Sequence, residues 1–177
     1  MPTPEGTLLW HPLSEALHLV AEPVARAAHL VPQARVAAID PGLADTEAFC
    51  AAYEVALNAS ANCVVVEGRR GERVRFAAVM VLATDRADVN KTVRKSLDVR
   101  RISFADQGRA QELTGMRQGG ITPLGLPPDW PVLVDRAVTT AGPVIIGGGV
   151  RGAKILLDGA ELADLPGAQV LDLALPG

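Results

Sequence analysis

Residues 113–125 read Leu-Thr-Gly-Met-Arg-Gln-Gly-Gly-Ile-Thr-Pro-Leu-Gly, and this stretch constrains the fold more than any other. It places Gly115, Gly119, Gly120, Pro123 and Gly125 close together, with almost no charge and neither helical nor strand periodicity. Glycine admits positive φ and lets other groups approach the backbone. Proline fixes φ and holds its predecessor extended. A helical pattern precedes the stretch and a strand pattern follows it. Such a loop is either a tight turn or a wall of bare backbone amides around a small-molecule pocket, and local composition leaves both open.

The 177 residues suit one domain with a full core. Apolar residues make up 49%, which excludes a disordered chain, and aromatics make up only 3%, so Ala, Val, Leu and Ile must build the core. Few aromatics also argue against modules that stack successive bases. A net charge of −3 gives no global pull toward nucleic acid. A local basic surface remains, carried by Lys91, Arg94, Lys95, Arg100 and Arg101. Cys50 and Cys63 lack metal-ligand spacing and read as buried free thiols of a reducing compartment. His11, His18 and His29 sit near the N-terminus beside no other catalytic group and read as surface or packing residues. With no apolar run of about 18 residues and no leader signal, the expected location is the cytoplasm.

In chain order, residues 13–31 read as a helix, capped by Ser14 and kinked or restarted at Pro23. Residues 36–39 read as a strand closed by Asp40-Pro41-Gly42. Asp45 or Thr46 opens a helix. Residues 62–67 and 74–83 are β-branched runs around a short turn, which predicts a hairpin. Asp88 or Asn90 opens a helix with Val89, Val93 and Leu97 inward. A brief strand covers 102–104. Asp106 caps a helix ending at Gly115. Strands follow at 132–134, 144–146, 154–157 and 170–173, with one helical turn at 161–165. Short connections and more strands than helices predict an α+β domain with a mixed, mostly antiparallel sheet.

Familiar catalytic signatures are missing. Gly147-Gly148-Gly149 lies between two strands, and no Gly-x-Gly-x-x-Gly, P-loop or Gly-x-Ser-x-Gly sequence occurs. No Ser/His/Asp or Cys/His grouping is suggested. An enzyme built this way would rely on backbone amides polarising a bound ester.

Residues 113–125, the following Val132-Leu-Val-Asp135, and Ile145-Ile-Gly-Gly-Gly-Val-Arg-Gly-Ala-Lys-Ile155 together resemble the YbaK/ProX family of trans-editing aminoacyl-tRNA deacylases, also found as the editing insertion of bacterial prolyl-tRNA synthetases. The resemblance covers roughly residues 32–175. It implies an editing domain over 32–177, preceded by a helical extension over 1–31, and a single α+β domain with a partly closed sheet surrounded by helices. It implies hydrolysis of the ester that joins a wrong amino acid to tRNA, Ala or Cys on tRNA-Pro among them. The partners implied are the mischarged 3′ end and prolyl-tRNA synthetase; no cofactor is implied.

The family's Gly-x-x-x-Pro loop corresponds to Gly119-Gly120-Ile121-Thr122-Pro123. Gly119 and Gly120 would then offer amides at the reacting ester, with Ile121, Thr122, Pro123, Asp135, Gly147, Gly148 and Gly149 in contact with substrate. The basic residues 91, 94, 95, 100 and 101 would meet the acceptor stem. Family members carry a lysine where this chain has Asn62, a neutral amide in place of a fixed charge. Asn62 therefore either orients substrate in a deacylase or marks a module that binds without hydrolysis.

Overall fold

A computed structural model describes residues 1–176. Among the described residues are eleven strands: β1 (His11–Pro12), β2 (Arg35–Ala38), β3 (Ala61–Arg70), β4 (Arg73–Leu82), β5 (Asp85–Ala87), β6 (Arg101–Phe104), β7 (Val132–Asp135), β8 (Pro143–Gly147), β9 (Ala153–Asp158), β10 (Ala168–Leu171) and β11 (Ala174–Pro176). The α-helices are α1 (Glu22–Ala27), α2 (Thr46–Tyr53), α3 (Arg94–Ser96), α4 (Gln107–Thr114) and α5 (Arg136–Thr139). Short tighter or wider turns extend several of them.

The β3–β4 hairpin organises the chain. Its strands pair antiparallel from Ala61↔Leu82 to Arg70↔Arg73. The apolar run Ala77–Val81 on β4 is buried on both faces, as expected of a central strand covered on both sides. A five-stranded sheet runs β10-β7-β4-β3-β6, with β7 parallel to both β4 and β10. A four-stranded antiparallel sheet runs β1-β2-β9-β8. The two sheets meet through one parallel bridge, Ser60↔Ile145. The architecture is the expected α+β one, and closure goes no further than this bridge.

The largest core lies between the sheets, where Met80, Val132 and Val134 face Ile146 and Ile155. A second cluster packs Val89, Val93 and Leu97 against Val66, Val79 and Leu133. This confirms the expected apolar stripe. A third packs α2 through Phe49 and Cys50 on Ile145 and Leu156.

The segment read as helical over 13–31, kinked or restarted at Pro23, forms two short 3-10 turns, 13–15 and 17–19, before a new helix, α1, begins. Pro12 precedes the first turn with no side-chain cap, so Ser14 does not cap it. Pro23 restarts the chain in the first turn of α1, where its missing N–H costs nothing. Leu13, Val20, Val24 and Val31 nevertheless enter the main core, and β1 pairs with β2. Asp106 and Gly115 bound α4 as expected: the Asp106 carboxylate accepts from Arg109 N, and Gly115 takes a left-handed conformation. The β5–β11 pair was not legible in the sequence.

Candidate functional site

Incomplete closure leaves a cleft at the edge of β3. β6 pairs with β3 at Val66–Arg69, and β8, paired with β9 on its other side, bridges to the residue before β3 at Ser60. Between these contacts, residues 61–64 present a strand edge without a pairing strand among the described residues. The edge floors a cleft of about 410 Å³, walled by the start of α2, by Phe104, Ala105, Gln107 and Ala110, by Gln118, Gly119 and Ile121, and by Ile145–Gly147 with Lys154.

Asn62 stands on that edge. The Thr46 hydroxyl at the start of α2 donates to Asn62 Oδ1 at 2.7 Å. This bond fixes the carbonyl end of the amide, and Asn62 Nδ2 has no partner among the described residues, which leaves a donor for a ligand.

The glycine loop approaches from the opposite wall. It is sewn to the turn after β8 by two backbone bonds, Arg117 N donating to Gly149 O at 2.9 Å and Gly149 N to Gly120 O at 2.6 Å, while Gly120 N closes the loop on Arg117 O at 2.9 Å. A Cβ on Gly120 would strike the Val150 backbone, and one on Gly147 would strike the Gly120 carbonyl. These glycines exist because two backbones pack directly on each other. Gly119 has φ +83°, and neither its amide nor that of Ile121 has a partner among the described residues. Both residues line the cleft. Arg151 ties this loop down, donating to Gln118 O at 3.3 Å and Pro41 O at 3.1 Å and pairing with Asp45 at 3.6 Å.

A model of the aminoacyl-tRNA editing domain matches residues 40–165. The chain belongs to this family. The editing domain also resembles solved structures throughout its fold. One, described as a proposed trans-editing enzyme for prolyl-tRNA synthetase, is 22% identical with a TM-score of 0.73, over 86% of this chain and 95% of that one. Hypothetical protein APE2540 is 24% identical with a TM-score of 0.71, over 80% and 91%. A scaffold used for computational epitope grafting is 23% identical with a TM-score of 0.74, over 88% and 97%.

Of the residues singled out in the sequence, the editing domain brings Asn62, Gly119, Ile121 and Gly147 together at the cleft. The others act elsewhere. Gly120 has its amide engaged within the loop. Thr122 is 0% exposed and away from the cleft wall. Pro123 faces a separate groove with Pro23 and Trp130. Gly148 O accepts from Ala21 N, and Gly149 packs against Ala21 and Val24.

Asp135 is 4% exposed, and its carboxylate accepts from Leu173 N at 3.0 Å, Ala174 N at 3.1 Å and Ala137 N at 3.2 Å. It secures the C-terminal segment and lines a different groove. Lys91, Arg94, Lys95, Arg100 and Arg101 are exposed outside the cleft. None forms an ion pair among the described residues. Arg101 starts β6, the strand whose last residue, Phe104, reaches the cleft mouth.

Three features of the site escaped the sequence reading. Thr46 was read only as a possible cap, but its hydroxyl orients Asn62. Phe104 is 64% exposed at the cleft, a large apolar face turned to solvent. Lys154 is 7% exposed in the cleft wall. Its signal was visible as a lone charge in the apolar run Ala-Lys-Ile-Leu-Leu, since lysine is seldom buried unpaired.

The thiols also differ from expectation: Cys50 is buried, but Cys63 is partly exposed and lines the cleft. Although the residue is partly exposed, desolvation of its sulfur among apolar neighbours pushes the Cys63 thiol up to about 12, so it is no thiolate nucleophile near neutrality. His11, His18 and His29 are exposed and away from the cleft. Among the described residues no His/Cys/Asp/Glu cluster could hold a metal ion, and no helix is long and apolar enough to cross a membrane.

Proposed function

We propose that the domain acts in trans as an aminoacyl-tRNA deacylase, hydrolysing the ester of a mischarged tRNA. The observation that carries this reading is the pairing, across one cleft, of donors without a partner among the described residues: Asn62 Nδ2 on the β3 edge and the Gly119 and Ile121 amides on the loop. Donors already aimed where an ester oxygen gathers negative charge stabilise the transition state without reorganisation. Water attacks the acyl carbon, the bond to the ribose oxygen breaks, and a proton from water ends on that oxygen. Neither a side-chain nucleophile nor a cofactor is required for this reaction.

The surroundings suit a tRNA end. Phe104 offers an exposed ring at the mouth, where a terminal adenine could stack, an interaction worth about 1–3 kcal/mol per base. Lys91, Arg94, Lys95, Arg100 and Arg101 are exposed and would meet acceptor-stem phosphates. The apolar wall formed by Cys63, Val65, Ala110 and Ile146 suits a small side chain such as that of Ala or Cys. tRNA-Pro, prolyl-tRNA synthetase and a cytoplasmic site of action complete the proposal.

The second reading, a module that holds aminoacyl-tRNA without hydrolysis, is favoured by the neutral amide at position 62. A panel of mischarged tRNAs, followed for loss of the acyl group, separates the two. Deacylation above the buffer rate on at least one member, weakening as salt rises, supports the enzyme. Binding without acceleration on every member supports the module.

A further inference from the structure

Lys154 is a buried cation that the fold leaves incompletely satisfied. It lies on β9 between Ala37 of β2 and Gly147 of β8, so neither cross-strand neighbour offers it a polar side chain. Its Nζ donates to the Ala44 carbonyl at 2.9 Å and sits 5.0 Å from the centre of the Phe49 ring. No carboxylate lies within ion-pair distance among the described residues. An ammonium group has three N–H donors, and only one is used here. The residue lines the same cleft as Asn62, Gly119 and Ile121. A buried charge with so little compensation weakens a fold, so folding alone does not explain it.

We propose that Lys154 is a further catalytic residue, whose ammonium donates to the acyl oxygen of the bound ester as negative charge develops there. The assignment rests on the deacylase reading above. In the reaction, water supplies the oxygen that joins the acyl carbon and the proton that reaches the departing ribose oxygen. Lys154 keeps its own proton throughout and contributes charge and one hydrogen bond.

The surroundings of Lys154 set the pH range of this role. Burial is the largest influence and lowers its pKa below the ordinary lysine value, with Arg151 on the β8–β9 turn acting in the same direction. Cys50 on α2 and Asp45 before it act in the opposite direction.

The test is Lys154→Met in the full chain, assayed on a mischarged tRNA that the wild type hydrolyses. The expected result is a kcat lower by about 100-fold, the scale of losing one oxyanion donor, with KM changed by less than about threefold. The alkaline fall in wild-type kcat, where Lys154 loses its proton, should vanish. Tm should stay equal or rise, because a shape-matched apolar side chain replaces a poorly compensated charge. If the methionine variant does not fold, Lys154→Gln carries the same test, since it retains a donor toward Ala44 without the charge. Wild-type kcat in a folded variant overturns the proposal while leaving the deacylase reading intact. Loss of the fold in both variants overturns it in favour of a structural role. A wild type inactive on every mischarged tRNA overturns the deacylase reading, and this role with it.

Discussion

The Thr46 hydroxyl donates to Asn62 Oδ1 at 2.7 Å, and this bond decides which end of the Asn62 amide the cleft receives. A neutral amide can serve an ester site only if its N–H end is held toward the substrate. Asn62→Ala removes the donor and should lower kcat by about 100-fold. Thr46→Val removes only the orientation and should cost less. Single-turnover deacylation of the two variants and their double mutant checks this. The double mutant should match Asn62→Ala alone, because Thr46 acts through Asn62.

Gly119 and Gly120 should separate by what each substitution disturbs. An alanine at 120 drives its Cβ into the Val150 backbone, which cannot yield cheaply. Overpacking of this kind costs about 1–3 kcal/mol, so Tm should fall by several degrees. An alanine at 119 meets only the flexible Arg151 guanidinium but must hold φ +83°. Its stability cost should be about 1–2 kcal/mol, with a proportionately larger loss of turnover as the free amide shifts. Melting curves measured beside turnover distinguish the two.

Asp135→Ala should be a stability mutation. The change strands the Leu173, Ala174 and Ala137 amides, two of them held by one carboxylate oxygen. Each buried donor left without a partner costs about 1–3 kcal/mol. Denaturant titration should show the loss, while KM for any tRNA substrate of the remaining folded protein stays at the wild-type value.

Cys63 gives a pH prediction. Its folded pKa is raised to about 12 from an ordinary value of 9.0. Between these values the unfolded chain releases the proton and the folded chain keeps it. Stability is therefore full below pH 9.0 and declines as pH rises toward 12, at up to about 1.4 kcal/mol per pH unit. Cys63→Ala should flatten this alkaline decline relative to wild type, measured by denaturant midpoints from pH 8 to 11. In the folded wild type, Cys63 should also resist iodoacetamide at pH 8 despite lining the cleft, as mass spectrometry would show.

Much of the fold was legible because it follows local rules. The β3–β4 hairpin announced itself through two β-branched runs around Gly71, and α4 through Asp106 and Gly115. The segment 13–31 misled because Leu13, Val20 and Val24 are spaced as on a helix, yet the core receives them from short turns and one six-residue helix. The site was half legible. The glycine loop and Asn62 carry local signals, and the structure brings them together. Gly147, Gly148 and Gly149 pointed to a ligand, but they largely serve packing: Gly147 lies against the Gly120 carbonyl, Gly148 O accepts from Ala21 N, and Gly149 packs on Ala21 and Val24. Lys154 stands out in the sequence as a lone charge in an apolar run, but its place in the cleft comes from pairing across β2, β9 and β8, which no single stretch of sequence encodes.

The most direct test of the account is deacylation itself. Wild type and Asn62→Ala are incubated with tRNA-Pro carrying Ala or Cys, at low and high salt, and the ester-linked amino acid is followed over time. The account predicts catalysed loss of at least one of these acyl groups by the wild type, weakened by salt, and about 100-fold slower turnover by the variant. Decay at the buffer rate in both proteins, with the tRNA bound, would contradict it and leave a domain that grips the aminoacyl end without cutting it.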